Sequence, residues 1–219
     1  RDPERAGIAV KPVDRFLNEW ERVLQLARQR PLNLTVVGGG AGGVEIALAM
    51  QHRLGTLAPN AQVRFKLIGD QAKPLPNHGP RVQSIFTRVL DQRGVQPHLG
   101  VRVRRVDAGS VRLDNGAAIA ADLIVWATGA SAPLWPRSAG IATDARGFIL
   151  VNDRLQSVSH ARLFASGDIA SMAQHPRPKS GVFAVRAGPP LAQNLRRALL
   201  DEPPLAWKPQ NLALALIST

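Results

Sequence analysis

The chain has 219 residues, no cysteine and a formal net charge of +12. That length suits one large domain or one domain with part of another, and the lack of cysteine excludes a disulfide framework and thiolate metal sites. No run approaches the roughly 18 uninterrupted apolar residues of a membrane span, and no apolar secretion-signal core follows the polar start Arg1-Asp-Pro-Glu-Arg5.

Residues 1–13 read as a linker or extended lead-in. An amphipathic helix is expected over 14–29, because Phe16, Leu17, Trp20, Val23, Leu24 and Ala27 recur at three-and-four spacing. Asp14 is placed to cap it and Pro31 to stop it. Leu34 to Val37 is an apolar, β-rich run of the kind buried on both faces of a parallel sheet. A helix follows over 41–54, ending near Gly55 and Pro59. Val63 to Ile68 reads as a second strand, and Gly69 to Pro80 as a polar turn rich in Pro and Gly. The next helix spans 81–92, with Val82, Ile85, Phe86, Val89 and Leu90 as its stripe and Gly94 as its stop. Short strands are expected at 95–99 and 101–106. Residues 111–119 carry a hairpin signal at Asn115-Gly116. Leu123 to Trp126 reads as another buried strand. This alternation predicts an α/β fold, Rossmann-like, with a parallel sheet and a small antiparallel insert over residues 32–130. Beyond Gly129, residues 131–147 look like loop and Leu163 to Ala165 like one more strand. A helix over 181–200 should kink or restart at Pro189-Pro190. The tail 203–219 is apolar and punctuated by proline.

Gly38, Gly40 and Gly43 have the spacing of a dinucleotide cradle, after an apolar strand and at a helix start. Gly38 would allow the tight turn, Gly40 the close approach of a diphosphate, and Gly43 the packing of helix on strand. The helix N-terminus would then offer free N–H groups and positive dipole to the phosphates. Asp70, just past the second strand, is the candidate for the adenosine ribose hydroxyls, while Lys73 is placed to meet a 2′-phosphate. NAD and NADP therefore both stay open, with a mild preference for NAD. Glu45 is an odd acid beside an anion site; it is a candidate for a carboxylate facing the nicotinamide end or the flavin cleft, with a catalytic role left open. The five histidines show no metal-ligand spacing. The positive charge is scattered, densest at Arg102, Arg104 and Arg105, with no interleaved aromatics. Nucleic acid is not expected as a partner, and a basic nucleic-acid-binding protein is only an alternative. A second alternative is a non-catalytic module that binds or senses nucleotide.

The ordered set Val37-Gly-Gly-Gly-Ala-Gly-Gly-Val-Glu45, Ala127-Thr-Gly129, Phe164-Ala-Ser-Gly-Asp168 and Pro178-Lys-Ser-Gly-Val-Phe-Ala-Val185 resembles the pyridine nucleotide-disulfide oxidoreductase superfamily. The likeness runs to type II NADH dehydrogenases and to the oxidoreductase domain fused to selenide, water dikinase. It implies three parts. Residues 1–31 lead out of a flavin domain, 32–130 form the NAD(P)H-binding domain, and 131–219 are the C-terminal remnant of a two-dinucleotide-binding FAD domain. It implies FAD and NAD(P)H as cofactors, with hydride passing to FAD and then to a small-molecule acceptor such as a quinone. By the same likeness, Gly129, Gly167 and Asp168 would contact the cofactors, and Lys179, Ser180, Gly181 and Val182 would lie beside the isoalloxazine. The family's first half, with the flavin's own glycine turn, is not in this sequence. The chain is therefore expected to be a fragment whose partner is the N-terminal FAD-binding segment of the same protein. A cytoplasmic setting is expected, with contact to the inner membrane face or a quinone, and homo-oligomerisation, left open.

Overall fold

Strands that are apolar without alternation need cover on both faces, and the first half of the chain supplies it. The computed structural model describes residues 7–10, 13–211 and 216–218. The chain divides into two compact units, residues 1–128 with 217–219, and residues 129–216.

The first unit runs β1 (Ile8–Ala9), α1 (Val13–Gln29), β2 (Leu32–Val37), α2 (Ala41–Leu57), β3 (Val63–Gly69), α3 (Pro80–Gln92), β4 (Val95–Leu99), β5 (Val103–Asp107), β6 (Ser110–Leu113), β7 (Ala118–Ala120) and β8 (Leu123–Trp126). Its five-stranded sheet has the order β1-β8-β2-β3-β4. Every pair in it is parallel, with Val37 opposite both Ile68 and Trp126. Leu34, Val36, Val44, Ala47, Leu67, Leu90 and Val125 are fully shielded from solvent, and α1 adds Phe16, Val23, Leu24 and Ala27 to the same core. The antiparallel β5–β7 sheet shares a second core, in which Val111, Leu113 and Ile119 meet Val37, Ile68, Ile124 and Trp126. Its hairpin turns at Gly116, with φ at +86°, while the Asn115 side chain accepts the Ala117 N–H.

Several expectations need correction. Leu17 and Ile85 are 53% and 44% exposed; at about 3.6 residues per turn, both fall on the rim of their stripes. Asp14 lies inside the first turn of α1 and not ahead of it. The helix after the glycines runs through Gly55 to Leu57, because one glycine costs only about 1 kcal/mol and Leu57 beyond it packs on the core. Within the expected lead-in, Ile8 and Ala9 form an edge strand on β8, while residues 1–6 and 11–12 lie outside the described residues.

Asp122 joins three elements. Its carboxylate accepts the Asn33 backbone N–H at 2.8 Å, the Asn33 amide at 3.1 Å and Arg30 Nη1 at 2.8 Å. Together these hold its pKa down from 3.8 to about 2, chiefly through the backbone N–H of Asn33. The folded value is below the unfolded one. The stabilisation is thus complete above the unfolded value and is lost as pH falls through about 2. Asp122→Asn should therefore lower the melting temperature at pH 6 and lose that difference by pH ~2. A thermal melt of both proteins across that range checks it; a gap that does not change with pH would contradict it.

The second unit contains α4 (Trp135–Ser138), β9 (Ile149–Val151), a 3-10 turn at Gly167–Ile169, β10 (Ala170–Met172) and α5 (Gly181–Leu199). Phe148, Ile149, Val151, Leu155, Ala165 and Ala187 are buried at its centre. The expected strand at Leu163 to Ala165 does not form. Phe164 makes one bridge to Gln156, and the segment is spent on pairing with the turn at 155–157. The parallel pair is β9 with β10 instead. The expected loop 131–147 encloses the short helix α4. The helix α5 continues through Pro189 and Pro190. The carbonyls those prolines release belong to Val185 and Arg186, which are exposed to water. Buried Asn194 ties α5 to both flanks, bonding Arg154 O and both backbone groups of Leu205. Of the expected tail, residues 212–215 and 219 lie outside the described residues. Among the described residues no helix is long and apolar enough to cross a membrane.

Candidate functional site

In the first unit the chain leaves β2 at Val37 and turns through Gly38, whose φ is +136°. A Cβ there would sit 2.4 Å from the carbonyl oxygen of Ala127, where the chain leaves β8. A Cβ on Gly43 would lie 1.8 Å from the Gly38 carbonyl oxygen, so the first turn of α2 presses directly on the elbow. These two glycines are demanded by backbone packing. Gly40 and Gly42 differ: a Cβ at either position meets nothing within 4 Å. Gly40 is the N-cap of α2, no side chain caps the helix, and its first turn carries no acid. The first turn of α2 therefore offers its N–H groups and positive dipole end with no side-chain cap and no acid of its own. Oxygens of a diphosphate fit this chemistry.

Two supports were not legible in the glycine spacing. A Cβ on Gly69, at the end of β3, would come 3.1 Å from Gly39 Cα, so the second strand is also packed onto the elbow. Leu75 is fully buried at φ +57°, and its N–H donates to Gly39 O at 2.8 Å. Gln83 holds that loop by donating to the carbonyls of Leu75 and His78. Local sequence offers one signal for this packing, the run of three glycines at 38–40.

Asp70 is the first residue past β3, beside the elbow strand, and its carboxylate pairs with Arg102 Nη2 at 3.4 Å. Lys73 is exposed in the following turn. Glu45 lies on α2, and its Oε1 accepts the Ser218 N–H at 2.9 Å; Ile217 packs on the same core.

In the second unit, Gly167, Asp168, Lys179 and Ser180 line one cavity of about 260 Å³, together with Phe148 and Trp207. Gly181, Val182 and Gly129 are not in its wall; Val182 is exposed on the first turn of α5, and Gly129 has open space around it. Gly167 takes φ +69° to present the 3-10 turn. Lys179 donates to the Ala170 carbonyl, and its ammonium stands 4.1 Å from the centre of the Phe148 ring. Arg146 lies over the same ring at 5.1 Å. Burial lowers the Lys179 pKa against the pull of Asp144 and Asp168. Burial would raise the Asp144 carboxyl, but the Phe148 N–H, the Ser171 hydroxyl, the Arg146 N–H and the Lys179 charge outweigh it and hold it below the usual range. Sequence reasoning missed Asp144, Arg146 and Phe148, which precede the second motif by about 20 positions and reach it through the β9–β10 pair.

The sequence profile of pyridine nucleotide-disulphide oxidoreductases matches residues 7–193. An NADH dehydrogenase-like protein of Mycobacterium tuberculosis is 30% identical over 190 residues, covering 80% of this chain and 45% of that protein. A type II NADH:quinone oxidoreductase of Haemophilus influenzae is 25% identical over 166 residues, covering 72% and 37%. The chain thus spans less than half the length of either relative. In fold it is similar to the crystal structure of a ferredoxin reductase from Rhodopseudomonas palustris, with a TM-score of 0.69 at 19% identity over 94% of this chain and 50% of that one. The profile match and the relatives bear out the resemblance to the superfamily and to type II NADH dehydrogenases, and the parallel and antiparallel sheets bear out the α/β fold class. Proteins of this kind bind FAD and NAD(P)H, and the chain belongs to the pyridine nucleotide-disulphide oxidoreductase family.

Proposed function

We propose that the chain is the dinucleotide-handling part of a flavin-dependent NAD(P)H oxidoreductase, which moves hydride from NAD(P)H to FAD and on to a small acceptor such as a quinone. The observation that carries this reading is the glycine elbow, where Gly38 and Gly43 are forced by packing while a Cβ at Gly40 or Gly42 would meet nothing within 4 Å. In this reading the first-turn N–H groups of α2 hold the coenzyme diphosphate, and Asp70 and Arg102 meet its adenosine ribose.

The second unit's cavity would hold one portion of the flavin nucleotide, since about 260 Å³ lies just under the roughly 300–1,000 Å³ of small-molecule sites. Bound FAD supplies the electron-pair acceptor for a nicotinamide hydride. The chain's residues bind and orient: Asp168 would accept hydroxyls, Gly167 lets backbone pass close, and Lys179 stands in the cavity wall against the Phe148 ring. Hydride transfer between the two cofactors requires no protein nucleophile and no metal. The chain alone is inactive in this reading, because this sequence holds one glycine elbow and the flavin needs its own.

The test is spectroscopic. In the full-length protein that the reading requires, loaded with FAD, NADH added without oxygen should bleach the flavin absorbance. A flavin that stays oxidised in protein shown to bind both dinucleotides would leave a non-catalytic nucleotide-binding module as the better reading.

A further inference from the structure

The proposed reading leaves the choice between NADH and NADPH open, and the Asp70–Arg102 pair bears on it. Resting on that reading, we infer that Arg102 sets the coenzyme selectivity: by neutralising Asp70 it makes the ribose corner accept NADPH alongside NADH. An acid at the end of the second strand accepts hydrogen bonds from the ribose 2′-hydroxyl and repels a 2′-phosphate, whereas a nearby arginine accommodates that phosphate. This chain has both, in contact at 3.4 Å.

The contact is built by backbone. Gly100 N–H donates to Gln71 O at 2.9 Å, and Val101 N–H to Gly69 O at 3.1 Å. Residues leading into Arg102 are thereby fastened to both neighbours of Asp70. Arg102 itself is fixed from the other side, where its N–H donates to Asp114 Oδ1 at 3.1 Å and its carbonyl accepts the Asp114 N–H at 2.9 Å. The two side chains are 72% and 49% exposed, so the pair adds little to stability and both charged groups are open to a ligand. The guanidinium is a planar fork suited to a phosphate. Lys73, exposed three positions past Asp70, adds a further positive charge to the same turn.

Calorimetric titration of the purified chain with NADH and with NADPH tests the inference. The unaltered chain should bind both coenzymes with affinities within about tenfold of each other. Arg102→Ala uncovers Asp70 and should weaken NADPH by roughly 10- to 100-fold, while NADH changes by less than about threefold. Asp70→Asn should shift the ratio the other way, favouring NADPH. Circular dichroism and an unchanged melting temperature establish that both variants are folded. An Arg102→Ala protein that loses both coenzymes equally, or neither, overturns the role of Arg102 and leaves the elbow untouched. A chain that binds neither coenzyme overturns the proposed function and this inference together.

Discussion

Gly43→Ala should lower the stability of the first unit sharply and abolish coenzyme binding with it. The added Cβ would lie 1.8 Å from the carbonyl oxygen of Gly38 and 2.8 Å from its carbon, and neither is the far end of a flexible side chain. Relief requires α2 to move off the elbow. That movement uncovers Val44, Ala47 and Leu48, which are buried against the sheet. Overpacking of this kind costs about 3 kcal/mol or more, which corresponds to a fall of about 10 °C in melting temperature for a domain of this size. Differential scanning calorimetry checks it, and a melting temperature within about 2 °C of the parent would show that the helix does not bear on the turn as described.

Gly40→Glu should have the opposite profile. The position has φ −78°, and a Cβ there meets no heavy atom within 4 Å, so the fold carries the substitution without strain. The carboxylate, however, enters the path of a diphosphate and sits on the dipole end that would receive it. Affinity for NADH should fall at least about 100-fold, a loss of roughly 3 kcal/mol, with the melting temperature unchanged or slightly raised. Unchanged affinity in this variant would remove the elbow from the binding account. Taken together, the two variants separate glycines required by the protein from glycines required by the ligand.

The glycine spacing was legible because each position answers a local demand, a left-handed turn at Gly38 and close helix contact at Gly43. The apolar runs at Leu34–Val37 and Leu123–Trp126 were legible for a related reason: they lack the alternation of a half-exposed strand. What remained hidden depends on distant partners. Arg102 is 32 residues from Asp70, and Ser218 is 173 from Glu45; no pattern in a short window couples them. The two-residue strand Ile8–Ala9 exists only because β8 offers it an edge. Leu75 carries no sequence mark of its positive φ, since the surrounding contacts impose it. The apolar run at Leu163 to Ala165 misled because burial without a neighbouring strand yields a bridge and not a ladder. The prolines in α5 misled because an exposed helix face lets water take the released carbonyls.

The central claim is that a nicotinamide coenzyme rests its diphosphate on bare backbone at the start of α2. A crystal structure of the chain grown with NADH measures this directly. The account requires the diphosphate within hydrogen-bond distance of the N–H groups that begin α2, over Gly40, with the adenosine ribose at Asp70. Density for the diphosphate away from that turn, or side chains filling the space above Gly40 and Gly42, would contradict it.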